Sequence, residues 1–270
     1  MGLSLLELAV ANALLVFGSF VALWALGLLL KDSSVVDIWF APCIAAAAVL
    51  GYFLGNGAQP RRLLLAVLAV IWAARLGGYL LWRNWGREDP RYARFRKTLE
   101  DQGKNFAWHS LTRINLYQSL IVFLALAPFV VAQSAAVPTQ LGWLAWAGTS
   151  LWLVGVFFQA VSDWQLARFK ANTNNAAHVL DTGLWRYSRH PNYFGECCVW
   201  WGFWLIACEC AWGFLTVFSP VFLTWSILGM MGKELVERRM LKKRAGYQDY
   251  VDRTSGFFPW PPRTRATRQS

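Results

Sequence analysis

Apolar residues gather in long runs along this chain, and the charges are pushed into the intervals between them. A helix crossing a hydrocarbon layer about 30 Å thick needs about 20 consecutive, mainly apolar residues. Seven runs meet that demand: residues 5–30, 35–54, 63–82, 114–132, 141–161, 193–210 and 214–231. The expected fold is therefore all-α, a polytopic membrane protein with seven transmembrane helices. No positively charged stretch precedes the first run, so it reads as a retained helix rather than a cleaved signal. Three intervals are sizeable, at residues 83–113, 162–192 and 232–262, whereas 133–140 and 209–212 are too short to hold a domain. One integral-membrane domain over residues 1–262 is expected, followed by a flexible tail at 263–270.

Charge decides which way the helices point. Cytoplasmic loops collect Lys and Arg, and an outside N-terminus with a cytoplasmic C-terminus puts 23 of the 26 basic residues on one side. Arg61 and Arg62 fall on the other side, and Arg75 falls within a helix. Trp82, Trp85, Trp143, Trp164 and Trp212 lie near run ends, where interfacial aromatic residues belong. The net charge of +11 could point to nucleic acid, but 56% of the chain is hydrophobic and 15% charged. Ordinary soluble chains run at about 45–50% and 25%, so membrane lipids, and no nucleic acid, are the expected surroundings. Disorder is excluded by the same composition. Cys43, Cys197, Cys198, Cys208 and Cys210 follow no metal or disulfide spacing, and with three scattered His no metal site is expected.

An ionisable side chain inside a bilayer costs about 2.5–3.5 kcal/mol on insertion scales and so demands a partner or a task. Asp37, Arg75 and Glu196 are in that position. Asp37 enters the second run amid Val35, Val36, Ile38 and Trp39, and Arg75 shares a helix face with Tyr79, four residues on. An Asp37–Arg75 ion pair and a polar cavity opening to the cytoplasm are both compatible with this pattern. Asn115, Tyr117 and Gln118 in the fourth run, and Gln159 at the end of the fifth with Asp163 four residues on, add polar groups to the cytoplasmic halves of the helices. The densest signal is Asp181 to Glu196. Pro191 suits a first helical position, and Arg189 and His190 before it, with the free N–H groups of the helix start, form a candidate anion site. Asn192, Tyr193 and Glu196 project from the first turn. Further on, Lys233 and Glu237 share a face of a basic helix, while Glu234 and Arg238 pair beside it. No segment carries a βαβ pattern or a glycine-rich dinucleotide turn, so any nucleotide is held by the cytoplasmic loops and helix ends.

These blocks resemble the membrane steroid 5-alpha-reductase and sterol reductase superfamily, specifically its bacterial members. The resemblance is carried by Val36-Asp37-Ile38-Trp39, by Trp72 to Arg75 with Arg83 to Tyr92, by Ser162-Asp163, by Gly183 to Glu196 and by Gly246 to Tyr250. It implies NADPH-dependent reduction of a carbon–carbon double bond conjugated to a ketone, in a steroid or other lipophilic enone, within a bacterial inner membrane and with no protein partner indicated. Carried over by position, Gln159, Asp163, Lys170, Asn172, Tyr187, Arg189, His190, Asn192, Tyr193, Glu196, Lys233, Glu237, Arg238 and Tyr250 would contact the cofactor, with Arg75 and Arg87 adding charge. Trp39, Trp72 and Gln118 would line the substrate. Asp37 falls beside the expected substrate carbonyl, to donate a proton or to orient a tyrosine that does. Where steroid reductases place a tyrosine donor this chain has Trp72, leaving Tyr79 or Tyr117 as substitutes. The Arg-His-Pro-x-Tyr element also occurs in isoprenylcysteine-type methyltransferases, which makes S-adenosylmethionine-dependent lipid methylation the alternative; a lipid-binding scaffold is the non-enzymatic one.

Overall fold

The computed structural model describes residues 2–84, 88–230, 233–244 and 246–263, with 84, 230 and 233–235 described by backbone alone. Among these residues the regular structure is helical, apart from one isolated backbone bridge between Leu3 and Gly55. The chain divides into two compact units, Met1–Ala145 with Ile206–Ser219, and Trp146–Leu205 with Pro220–Ser270.

The first unit is built on three long helices. α1 (Leu5–Leu30) opens with a capping box, in which Ser4 and Glu7 satisfy each other's backbone N–H. It closes at Lys31, whose φ of 53° turns the chain. α2 (Val35–Leu54) begins after a turn in which the Asp32 carboxylate accepts from the N–H and hydroxyl of Ser34. α3 (Gln59–Asn84) returns along α2, closely enough that a Cβ on Gly77 would meet Pro42 at 3.3 Å. Then come α4 (Pro90–Asp101), α5 (Phe106–Ser110), a π-helical turn at Leu111–Asn115, α6 (Leu116–Ala125) and α7 (Ala127–Ser134). The fourth apolar run is thus bent by 40° between Phe106–Ala125 and Ala127–Ser134. Pro128 causes this, because it has no N–H for the preceding turn and its ring crowds that turn's carbonyls.

The two arginines that stood apart from the other cations are absorbed here. Arg61 is buried, with Nε donating to the Ala132 carbonyl at 3.0 Å, Nη1 to Pro138 at 2.9 Å and Nη2 to Ala135. Arg62 donates to the carbonyls of Tyr52 and Gly55 at 2.6 and 2.7 Å. Helix C-termini leave carbonyls without intrahelical donors, and these guanidinium groups supply them for α7 and α2.

The second unit contains α8 (Trp143–Ala171) from Trp146 on, α9 (Pro191–Ala207) up to Leu205, α10 (Phe218–Trp225) from Pro220 on, α11 (Lys233–Lys243) and α12 (Tyr247–Arg253). α8 continues well past the fifth apolar run, so Asp163, Arg168 and Lys170 stand on a helix rather than in a loop. α8 and α9 meet along a glycine seam. A Cβ on Gly195 would fall 2.5 Å from the Gly155 carbonyl oxygen, and one on Gly202 would fall 2.6 Å from that of Gly148. Two turns separate the glycines on each helix, so one stripe without side chains lets the two backbones touch.

By length and composition α1, α2, residues Gln59–Arg83 of α3, and α8 suffice to cross a membrane, four spans, or five where the bent pair counts as one. The chain is an integral, multi-pass membrane protein. The last two apolar runs form shorter pieces: α9 has 17 residues, and residues 213–230 divide into a 3-10 turn, α10 and a π-helical turn. Replacing Gly195 by Ala is expected to cost about 1–3 kcal/mol through overpacking, read as a lower unfolding midpoint in detergent; an unchanged midpoint would refute the seam.

Candidate functional site

In the first unit the chemistry converges on Asp37, in the first turn of α2. α4 starts with Asp89 as its N-cap, the carboxylate accepting from the Arg91 N–H at 2.9 Å, and with Pro90 in first position. This geometry sends Arg91 and Tyr92 toward α2. Arg91 Nη2 donates to Asp37 Oδ2 at 2.7 Å, the Tyr92 hydroxyl donates to Asp37 Oδ1 at 2.7 Å, and Gln118 Nε2 from α6 reaches the same oxygen at 3.0 Å. Gln118 Nε2 also lies 3.2 Å from the Tyr92 oxygen. Asp37 therefore accepts from three donors, one of them a guanidinium. Burial, then the charge of Asp37 and its hydrogen bond, raise the Tyr92 pKa well above the usual phenol range, so Tyr92 keeps its proton. Burial works to raise Asp89, but the hydrogen bonds and charge of Arg91 outweigh it and hold Asp89 below the ordinary range. Gln118 Oε1 is buried without a partner, although buried amide oxygens are normally satisfied.

The expected residues of this unit separate into those in the cluster and those outside it. Asp37 and Gln118 are in it. Asp37 pairs with Arg91 rather than with Arg75, and its phenol is Tyr92 rather than Tyr79 or Tyr117. Tyr79 lies beneath Arg83, whose guanidinium is 5.9 Å from its ring. Tyr117 is not among the donors to Asp37. Trp39 donates its indole N–H to Ser19 at 3.0 Å, and Trp72 is wholly buried in α3. Arg87 lies outside the described residues. Tyr92 and Arg91 are the site residues that sequence reasoning passed over. The Asp-Pro step at 89–90 was their signal, since it marks a helix start and fixes which side chains leave the first turn.

In the second unit a different cluster forms at the start of α9. Arg189 is nearly buried: Nε donates to Glu237 of α11 at 2.9 Å, and Nη1 donates to the carbonyls of Val251 and Thr254 at 2.9 and 2.6 Å. His190 Nε2 lies 3.0 Å from the same Glu237 oxygen, and its ring stacks on Tyr193 at 5.1 Å. Tyr250 of α12 donates to the Trp185 carbonyl. Arg189, His190, Glu237 and Tyr250 are thus brought together, but toward one another and toward main-chain carbonyls. Burial alone would raise Glu237, yet hydrogen bonds from His190 and Arg189, with their charge, bring it down to about 2.

One turn into α9, Glu196 accepts from Gln159 Nε2 of α8 and from the Trp200 indole at 2.8 Å, and Gln159 Oε1 is buried without a partner. Asn172 caps the 3-10 turn Thr173–Ala177, Tyr187 and Lys170 are exposed, and Asn192 and Asp163 are partly exposed. Arg238 is exposed on α11, and the Lys233 side chain lies outside the described residues. A cavity of about 800 Å³ opens beside the loop before α9, lined by Thr182, Gly183, Arg186, Arg253 and Arg263 with Asp181 and Asp249. Gly183 sits there at φ 59°, a backbone conformation that favours glycine. Among the described residues no group of His, Cys, Asp and Glu is arranged to hold a metal.

Residues 23–254 match the model of a protein family of unknown function, DUF1295. The chain belongs to that family. It is similar to an uncharacterized protein of Schizosaccharomyces pombe (strain 972 / ATCC 24843), with 28% identity over 273 residues that cover 88% of this chain and 75% of the relative. No solved structure matches it.

The Glu237 geometry carries a pH dependence. Its folded pKa lies below the unfolded value, so its stabilisation is complete above about pH 4.5 and is lost as pH falls toward about 2. The midpoint difference between the native chain and Glu237→Gln should be widest near neutrality and close over that interval in thermal unfolding; a constant gap would refute the charge-assisted contact.

Proposed function

We propose that the chain is an NADPH-dependent reductase of the steroid 5-alpha-reductase type, which reduces the double bond of a 3-keto-4-ene steroid or a similar lipophilic enone. The observation that carries this reading is the Asp37–Tyr92–Gln118 cluster, a protonated phenol held against a carboxylate where an apolar helix begins. The resemblance of the quoted blocks to the steroid and sterol reductases supports it. In the full proposal α9 and residues 213–230 complete seven spans, the N-terminus lies outside, and the host membrane is the bacterial cytoplasmic one.

The second unit has features that fit a pyridine dinucleotide. The partnerless Oε1 of Gln159, beside the Glu196 carboxylate, suits the N–H groups of a carboxamide, and the arginines of the 800 Å³ cavity suit phosphates. Arg189, His190, Glu237 and Tyr250 then frame the loop before α9 rather than grip the ligand. NADPH, when bound, supplies hydride to the β-carbon of the enone, which leaves charge on the ketone oxygen.

That charge needs a donor aimed at it. Tyr92 provides one by turning its hydroxyl from Asp37 to donate a hydrogen bond to the ketone oxygen as that charge builds, and a proton from water then reaches the α-carbon to complete the saturated ketone. Gln118 Nε2, already within reach of the phenol oxygen, donates to it and keeps the hydroxyl aimed, while Asp37 and Arg91 hold the ring in place. Asp37 is the orienting carboxylate in this scheme. The free Gln118 Oε1 accepts from a polar group of the substrate.

Reconstituted protein should consume NADPH, followed by its absorbance, when given a 3-keto-4-ene steroid. Tyr92→Phe is expected to lower kcat by about 100-fold or more with NADPH affinity little changed. Binding of S-adenosylmethionine without NADPH consumption would overturn the reading in favour of methyl transfer.

A further inference from the structure

Residues 254–263 read Thr-Ser-Gly-Phe-Phe-Pro-Trp-Pro-Pro-Arg and form no helix. Their main chain is nonetheless fixed. The Arg189 N–H donates to the Ser255 carbonyl at 2.9 Å, Ser188 Oγ to Phe257 at 2.7 Å, and the Trp260 N–H to the Tyr187 carbonyl at 3.0 Å. The segment is a strap laid along the loop before α9. Phe257 packs against Phe194, whereas Phe258 and Trp260 are 69% and 71% exposed.

Ring contacts show the level at which that outward face lies. Phe258 packs on Phe194, in the first turn of α9, with centroids 6.1 Å apart, and Phe194 packs edge-on against Phe158 of α8 at 5.0 Å. Phe158 belongs to a helix long and apolar enough to cross a membrane. Along the exposed face of that helix Val154 and Phe157 are followed by Trp164 and then Arg168, whose guanidinium lies 5.6 Å from the Trp164 ring. Aliphatic, then aromatic, then cationic is the order in which a spanning helix leaves a bilayer. Phe158 precedes Trp164 by six residues, about 9 Å of helix rise on the apolar side. Ring contacts of 5.0 and 6.1 Å lead from Phe158 through Phe194 to Phe258, a combined reach comparable to that 9 Å.

We propose that the strap is a membrane-interface anchor, with Phe258 and Trp260 inserted among the headgroups and upper acyl chains of the leaflet that α8 leaves at Trp164. Aromatic rings are favoured at that depth because their apolar bodies leave water while the indole N–H stays near polar headgroups. Prolines at 259, 261 and 262 restrict the backbone and remove N–H groups that would need partners. The same strap covers Arg189, so lipid contact also steadies the hydrogen bonds that hold the loop before α9. The anchor is independent of the reductase reading.

The test uses the full chain in lipid nanodiscs, with the photoreactive residue p-benzoylphenylalanine placed at Phe258, at Trp260, or at exposed Lys242 of α11 as reference. On irradiation, lipid adducts identified by mass spectrometry should form at 258 and 260 several-fold more than at 242. Equal labelling at the three positions, or no lipid adduct at 258 and 260, would overturn the anchor. Covalent dimers through 258 or 260 in place of lipid adducts would also overturn it, in favour of a contact with a second copy. Unfolding midpoints matching the native chain show that each variant is folded, and Phe258→Ser with Trp260→Ser should speed hydrogen exchange of the strap amides in nanodiscs but not in lipid-free detergent; no difference between the two media would overturn it as well.

Discussion

The carboxylate of Asp37 stands at the mouth of an apolar helix, and much of the first unit is arranged around supplying it with donors. A lone charge there is costly, and three side chains from two other helices meet it. α4 owes its direction to this need, because the Asp89 cap and Pro90 start the helix where Arg91 and Tyr92 face α2. α6 contributes Gln118 from the other side. The proposed chemistry uses the same contacts, since the groups that make a partly buried carboxylate tolerable also hold a phenol with its proton in place.

The second unit solves a similar problem with opposite charge. Arg189 brings a guanidinium into a nearly closed space, where Glu237 and two main-chain carbonyls take up its donors. This contact joins the start of α9 to α11 and to the segment after α12. Arg189 thus serves the protein's own backbone, while Arg186 lines the cavity beside the loop before α9 and the Gln159 Oε1 is buried without a partner.

Backbone approach is controlled by small residues and proline. Gly148, Gly155, Gly195 and Gly202 let α8 and α9 come into main-chain contact, which puts Gln159 against Glu196. Pro128 bends the fourth apolar run and separates α7 from α6. Arg61 and Arg62, misfits in the charge pattern, close the helix ends so produced.

Much of this could be read from residues alone. Apolar runs place helices because the length needed to cross hydrocarbon is fixed, and the first two runs coincide with α1 and α2. Asp37 was singled out because charge in an apolar run has few innocent explanations, and Pro191 does begin a helix. Which tyrosine serves Asp37 was not legible: Tyr79, Tyr117 and Tyr92 are equivalent by residue type, and helix periodicity relates only neighbours on one helix. The partner came from α4, brought across by a cap and a turn, so only the tertiary structure chose Tyr92. The same limit applied to Arg189, whose Glu237 partner lies 48 residues away in sequence. Sequence by itself determined where the chain is apolar, where it is charged and which groups are costly; the folded chain decided how those costs are met, because hydrogen bonds and ion pairs act over a few ångströms and residues far apart in sequence reach that distance only in three dimensions.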